Sequence, residues 1–382
     1  IKAFYEPLLR VLGERGIVVA VASAPGADLD DLAAMRGVMV RAVPITRRIT
    51  PVRDIRAVVA LARFLRRRGV RLVHTHTPKG GLVGMLAAWF ARVPHRIHTM
   101  HGLPLETTHG LRRVALIAAE RLTCALADTV CVVSDSLRRR AVALRLAAPD
   151  KLRVLGHGTA CGVDHHRFEP TAVTARSAAA KRDELRIPQD ALVIGFVGRI
   201  VYDKGIHTLV DAFTSLVDRY DTLHLLLLGD VEPQHRRLPA RTIDTIRRHP
   251  RIRHVGFDWN PIPYYAAMDI LALPTLREGF GCVLLEAACM ELPVVATRTT
   301  GCVDAVADGE TGILVGPGDG DGLIAALRRL LDNKDLRSAL GRAGRTRART
   351  CFGQHRMIQA HLDLYAATAP PLAARCAARG DA

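Results

Sequence analysis

The chain has 382 residues, of which 49% are apolar and 4% aromatic, and its formal net charge is +17 at pH 7. That length holds two domains of ordinary size, with cores built from Ala, Val, Leu and Ile. No apolar run reaches the roughly 18–20 residues that span a bilayer. The eight cysteines are scattered without a CxxC pair, which argues against a disulfide framework and for reduced thiols in the cytoplasm.

An amphipathic helix is expected at 5–15, stopped by Gly16, with a buried strand at 17–22. An α/β domain rarely opens on a helix before its second strand, so a first strand and its loop are expected to precede that helix. Strands at 38–43, 72–76, 96–100, 129–133 and 152–155 alternate with helices at 55–68, 81–90, 111–127 and 136–145. The alternation predicts a parallel, doubly wound sheet. Residues 159–186 read as irregular and as a connection. A second alternation then takes strands at 192–197, 223–228, 252–256, 270–274 and 294–296, and helices at 206–219, 240–247, 261–268, 283–290 and 323–331. The expected domains are 1–165 and 191–352, with a linker at 166–190 and a C-terminal helix and tail at 353–382 placed to cross back to the first domain.

Two glutamates eight positions apart, in the run Glu278-Gly279-Phe280-Gly281-Cys282-Val283-Leu284-Leu285-Glu286, carry the strongest functional signal. Glu278 falls in a loop after a strand, and Gly279 and Gly281 let the backbone approach a ligand. The following helix opens with N–H groups that favour an anion such as a diphosphate. A carboxylate at each end with a phosphate seat between matches the span of a nucleotide sugar. The same spacing also suits a helix-dipole charge and a solvated glutamate. Earlier, Gly195-Phe196-Val197-Gly198-Arg199 and Lys204-Gly205 end a buried strand and place two cations at the head of a helix. Ligands of doubly wound sheets sit at that edge, and two cations there can hold a diphosphate and neutralise it as a leaving group.

Together these runs resemble the retaining glycosyltransferases of family 4, with the GT-B fold. Further matches are Gly162-Val163-Asp164 with Arg167-Phe168, Leu228-Gly229-Asp230, Val294-Val295-Ala296-Thr297 with Gly301, Asp308-Gly309-Glu310-Thr311-Gly312, and Gly341 with Gly344-Arg345. The resemblance covers nearly the whole chain. It implies two Rossmann-like doubly wound domains facing across a cleft, with the acceptor on the N-terminal domain and the donor on the C-terminal one. It implies that Arg199 and Lys204 bind the donor diphosphate, that Glu278 contacts the transferred sugar and that Glu286 contacts the ribose. The backbone of Gly281, Cys282 and Val283 would meet the phosphates, and Val255, Gly256 and Phe257 would flank the base. His101, in Thr99-Met100-His101-Gly102, matches a histidine near the sugar. The run His74-Thr75-His76-Thr77-Pro78-Lys79-Gly80-Gly81 resembles the polysaccharide-assembly branch, whose members extend polyprenyl-diphosphate-linked saccharides at the cytoplasmic membrane face.

The positive charge fits such an acceptor. It is mostly arginine, clustered at Arg66-Arg67-Arg68, Arg112-Arg113 and Arg138-Arg139-Arg140. A basic balance suits nucleic acid, an anionic membrane or phosphorylated substrates. The clusters are not interleaved with aromatics and no nucleic-acid motif is present, so nucleic acid is not expected. His74, His76, His98 and His101 gather near one rim, but no carboxylate or cysteine completes a recognisable metal set, so no metal is expected. Asp28-Leu29-Asp30 and Asp319-Gly320-Asp321 fit the DxD of metal-dependent transferases but read as helix caps. Cys282 and Cys289 read as packing residues. Two-carboxylate glycoside hydrolysis needs facing groups about 5–10 Å apart, which a loop-to-helix offset does not suit. The expected activity is a cytoplasmic, metal-independent, retaining glycosyl transfer without a cofactor, the nucleotide sugar being substrate. The rivals are a non-catalytic GT-B scaffold or inactive homologue, and a GT-B nucleotide-sugar epimerase.

Overall fold

The computed structural model describes residues 2–46, 50–232 and 238–369. These form two compact units: one holds the described residues up to Gly162 together with those from Gln354 on, and the other is Val163–Gly353.

In chain order the first unit has α1 (Lys2–Glu14), β1 (Val19–Ser23), α2 (Ala27–Ala33), β2 (Val38–Ala42), α3 (Pro51–Arg67), β3 (Leu72–His76), α4 (Pro78–Phe90), β4 (His95–Met100), α5 (Gly110–Leu126), β5 (Thr129–Val132), α6 (Asp135–Ala143) and β6 (Leu152–Val154). All pairing is parallel, as expected, but not in one sheet. β1 pairs with β2, and β3-β4-β5-β6 form a separate sheet; among the described residues no strand joins the two. α3 starts with a proline in its first turn, whose missing N–H costs nothing there. It buries Ala57, Val58, Leu61, Ala62 and Leu65 on one face. α4 lies close on β3 because Gly84 has no Cβ; one there would stand 2.6 Å from Thr75 Cγ2.

The second unit has α7 (Ala172–Glu184), β7 (Val193–Val197), α8 (Ile206–Leu216), β8 (His224–Leu228), α9 (Ala240–Arg248), β9 (Ile252–Val255), α10 (Ile262–Ala266), β10 (Ile270–Leu273), α11 (Cys282–Cys289), β11 (Val294–Thr297), α12 (Cys302–Ala305), β12 (Gly312–Val315), α13 (Gly320–Leu331) and α14 (Lys334–Phe352). Its six strands form one parallel sheet in the order β12-β11-β10-β7-β8-β9. The central strands are apolar throughout, as befits strands covered on both faces; Ile194, Phe196, Leu225, Ile270 and Val295 are each 0% exposed. The chain runs outward from β7 to β9, then restarts at β10 on the other side of β7. The β7/β10 junction is therefore the topological switch point, where doubly wound sheets open a crevice.

Two expectations change. Residues 166–190 are not a plain linker: α7 lies within them and packs against α10 in the second unit. Its buried residue is Arg182, whose guanidinium donates to the Ala267, Gln189 and Ala191 carbonyls and to Asp269. Asp28 does not cap α2, whose N-cap is Gly26 without a side-chain bond, whereas Asp319 does cap α13 by accepting from Gly322 N at 2.8 Å. The C-terminal helix α15 (Gln354–Thr368) belongs to the first unit, where Leu362, Leu364 and Tyr365 pack with Tyr5, Leu8, Leu12 and Ile97. The tail expected after it, 370–382, lies outside the described residues.

Candidate functional site

The loops after β7 and β10 meet at the switch point and are laced together. Gly205, at φ 70°, sits so close to Pro274 that a Cβ would stand 1.9 Å from its carbonyl oxygen. The Asp203 carbonyl accepts from Leu276 N at 2.8 Å and Thr275 Oγ1 at 3.1 Å, and its carboxylate accepts from Arg277 Nε at 3.0 Å. This lacing brings Lys204 against Glu278, and the two side chains form an ion pair. Both are largely shielded, at 19% and 18% side-chain exposure, so their attraction is less screened than that of a surface pair. Two residues that lie 74 positions apart thus become direct partners.

Arg199 stands on the same β7 loop and pairs with Glu232 at 3.0 Å. Gly281 takes the left-handed conformation at φ 78° as N-cap of α11, so the amides of Cys282 and Val283 head that helix. The loop after β11 closes on this segment; a Cβ on Gly301 would stand 2.2 Å from the Gly279 carbonyl. Phe280 is buried and meets Phe352 edge-on. Cys289 is fully buried, while Cys282 is half-buried at the helix head.

Glu286 lies in the second turn of α11. Its Oε2 accepts from the Tyr265 hydroxyl at 2.7 Å. Burial pushes its carboxyl up to about 7, against the opposing effects of that bond and the Arg167 charge. At the end of β9, Phe257 N donates to Asp230 Oδ1 at 2.9 Å. Phe257 is 58% exposed and meets Trp259 edge-on at 4.9 Å. Val255, Gly256 and Phe257 therefore offer an open apolar rim beside the strand ends.

His101 is in the first unit, just past β4. Its Nε2 is 3.2 Å from His76 Nδ1, at the end of the adjacent strand. Around them His74 contacts Tyr365 Oη at 2.8 Å and Thr99 Oγ1 at 2.6 Å, and His98 contacts Thr75 Oγ1 at 2.9 Å. His361 lies edge-on to Tyr5 at 5.7 Å. Burial lowers all of these imidazoles: His98 to about 4, His101 to about 3, and His74 and His76 well below the usual range. His74, His76 and His101 are thus a neutral, mutually packed cluster, whereas His98, expected beside them, turns to the other face of the strands, where it meets Thr75 and Gly81. No set of three or more His, Cys, Asp or Glu that could hold a metal occurs among the described residues.

The second unit brings Arg199, Lys204, Glu278, Glu286 and the head of α11 to the strand ends at or beside one switch point. Sequence reasoning missed their partners Glu232, Asp203, Arg277 and Tyr265. Asp230 stands in a motif that was legible, but its bond to the Phe257 amide was not.

A parallel α/β sheet in Rossmann strand order, with cations and carboxylates gathered at its switch point, puts the chain among the doubly wound α/β proteins, which bind their ligands at that point. Residues 191–333 match the family model described as glycosyl transferases group 1, and residues 4–158 match that of the glycosyl transferase 4-like domain. The chain is 30% identical to the capsular polysaccharide biosynthesis glycosyltransferase CapM of Staphylococcus aureus, over 91% of this chain and 90% of CapM. It is 33% identical to the D-inositol 3-phosphate glycosyltransferase of Saccharomonospora viridis, over 77% of this chain and 69% of that protein. Among solved structures it resembles sucrose-phosphate synthase from Thermosynechococcus elongatus, with TM-score 0.78, 25% identity and coverage of 96% and 92%. The chain belongs to the group 1, family 4 glycosyltransferases and has their GT-B fold.

Proposed function

We propose that this glycosyltransferase moves a hexosyl group, with retention of configuration and without a metal, from a nucleotide-diphosphate sugar to a saccharide or polyprenyl-diphosphate-linked saccharide in cell-surface polysaccharide synthesis. The observation that carries the reading is the Lys204–Glu278 pair at the switch point, beside Arg199 and the head of α11. In this reading Arg199, Lys204 and the amides of Gly281, Cys282 and Val283 hold the diphosphate. The two cations supply the positive charge that a metal supplies elsewhere. Donor binding replaces the Lys204–Glu278 contact: phosphate oxygens take Lys204, and sugar hydroxyls take Glu278. Glu286 accepts from the ribose, Val255, Gly256 and Phe257 flank the base, and His101 belongs to the acceptor-side unit. The name of CapM, a capsular polysaccharide glycosyltransferase, supports the substrate class.

The test is transfer from UDP-, GDP- and ADP-sugars to lipid-linked and free saccharides, with EDTA present and the product anomer read by NMR. One donor at 100 times its Kd should stabilise the protein by about 2.7 kcal/mol. It should yield a product with the donor's anomeric configuration. An inverted product, or activity abolished by EDTA, would overturn the mechanism. Donor epimerisation without transfer would make the chain an epimerase, and no stabilisation by any donor would make it a scaffold.

The acceptor reading places the protein on the cytoplasmic face of a membrane. No described helix is long and apolar enough to cross one. The first unit instead exposes apolar residues beside arginines: Val52, Ile55 and Val59 on α3, Leu111 and Val114 on α5, and Trp89 and Phe90 at the end of α4. Arg66, Arg67 and Arg68 end α3 and are exposed, and Arg112 is exposed on α5. Arg138, Arg139 and Arg140 are instead paired with Asp135 and Glu106, which weakens that cluster as a contact. Binding to vesicles should need anionic lipid and fade with salt. Neutralising Arg66, Arg67 and Arg68 should weaken it by about 1 kcal/mol per residue. Binding indifferent to lipid charge, or none, would favour a soluble acceptor.

A further inference from the structure

Glu286 is not held by its own helix. α10 and the segment 163–171 build its seat. Tyr265, on α10, is fully buried, and its hydroxyl is the only hydrogen-bond partner of Glu286 among the described residues. Phe168, 5% exposed, meets the Tyr265 ring edge-on at 5.9 Å and fixes its plane. Arg167 lies over Phe168 at 5.4 Å and is anchored on the Trp259 carbonyl at 2.8 Å. Asp164 sets this corner by accepting from the His166 and Arg167 amides at 3.1 Å each. A buried phenol whose one bond is to a half-buried carboxylate has a stronger reason to be there than packing, since phenylalanine would pack as well.

We propose that Tyr265 is a positioning residue for the donor: its hydroxyl holds Oε2 of Glu286 and turns Oε1 to accept from the ribose hydroxyls of a nucleotide sugar. This rests on Glu286 contacting the ribose. The bond does a second thing. A carboxylate accepts hydrogen bonds about twice as strongly as a neutral acid, and the Tyr265 hydroxyl favours the ionised form against burial. The other groups around Glu286 are few. Arg167 acts on it from the segment 163–171, and Cys282 and Cys289 lie on its own helix. Arg345 and Arg349 of α14 act on Cys289, α12 carries Asp304, and β10 and β11 carry no charge. With its carboxyl near 7, Glu286 ionises as the pH rises through neutrality. Donor KM should therefore fall from pH 6 to pH 8 and then level off.

Tyr265→Phe removes only the hydroxyl. The donor KM at pH 7 should rise about tenfold with kcat unchanged. The pH at which KM levels off should move up by about one unit. High pH should then restore much of the lost affinity, which no packing defect would do. Phe168→Leu, which loosens the ring without removing the hydroxyl, should change KM in the same direction but less. Glu286→Gln is the reference: its KM should be raised and independent of pH between 6 and 8. Wild-type KM in Glu286→Gln would overturn the ribose reading and the proposal with it. A raised, pH-independent KM in Glu286→Gln, beside a Tyr265→Phe profile equal to wild type, would overturn the positioning role alone. So would a Tyr265→Phe variant that loses kcat and melting temperature with no shift of its pH profile.

Discussion

Lys204→Ala should lower kcat about 10²- to 10³-fold, the range found when one preorganised donor to a developing oxyanion is removed. Affinity for the free nucleoside diphosphate should change by less than about tenfold, because charge on the leaving group grows as the sugar departs and only the transition state needs the full cation. The structure sharpens this. Lys204 is shielded and already oriented by Glu278 and by the lacing of its loop to Pro274, Thr275 and Leu276. Arg199 is more exposed, with 42% of its side chain accessible, and is held by Glu232. Arg199→Ala should therefore cost less in rate than Lys204→Ala. Glu278→Ala should also lose kcat, and the double variant with Lys204→Ala should lose less than the product of the two, since each residue is the other's partner in the empty site. Steady-state kinetics alongside calorimetric nucleotide binding would decide. A Lys204→Ala variant whose loss of nucleotide affinity equals its loss of rate would reduce the lysine to ground-state anchoring.

The second large effect is on stability in acid. His74, His76, His98 and His101 are neutral in the folded first unit because burial disfavours their charge. In the unfolded chain each takes up a proton near pH 6.5. Between the folded and unfolded values the unfolded state binds more protons, so stability rises with pH across that window. It is therefore lost as pH falls below about 6.5, down to about 4 for His98 and about 3 for His101. Each such histidine costs about 1.4 kcal/mol per pH unit, or about 2 kcal/mol between pH 6.5 and 5. Glu120 opposes them. Burial raises it to about 7, so it favours the fold as pH falls from there toward its unfolded value and offsets about one histidine over the same interval. The other histidines remain uncompensated, so the net effect of acid is to destabilise the first unit. Denaturant unfolding of the first unit at pH 7.5, 6.5 and 5.5 should show the midpoint falling steeply below 6.5. A midpoint unchanged down to pH 5 would mean that the cluster hydrates or opens before it is charged.

The sheet of the second unit was legible because its strands are buried on both faces, and such strands appear as unbroken apolar runs, as in Ile270 to Leu273 and Val294 to Thr297. The Glu278 loop was legible too, because glycines at Gly279 and Gly281 mark where backbone must turn and approach something. Segment 166–190 was misread for the opposite reason. α7 buries an arginine bonded to three carbonyls instead of an apolar stripe, so nothing in its spacing announces a helix. The sequence by itself picked out the candidate charges: Arg199, Lys204 and Glu278 just past the ends of two strands, and Glu286 within the helix that follows the second. Only the tertiary structure decided who meets whom. Lys204 and Glu278 become partners because the strands that precede them, β7 and β10, are parallel neighbours where the strand order reverses, and adjacency in a sheet is fixed by crossover connections that no local pattern records. The protonation of Glu286 and the histidines was decided there as well, because a side chain's charge depends on how much water the rest of the fold removes from it.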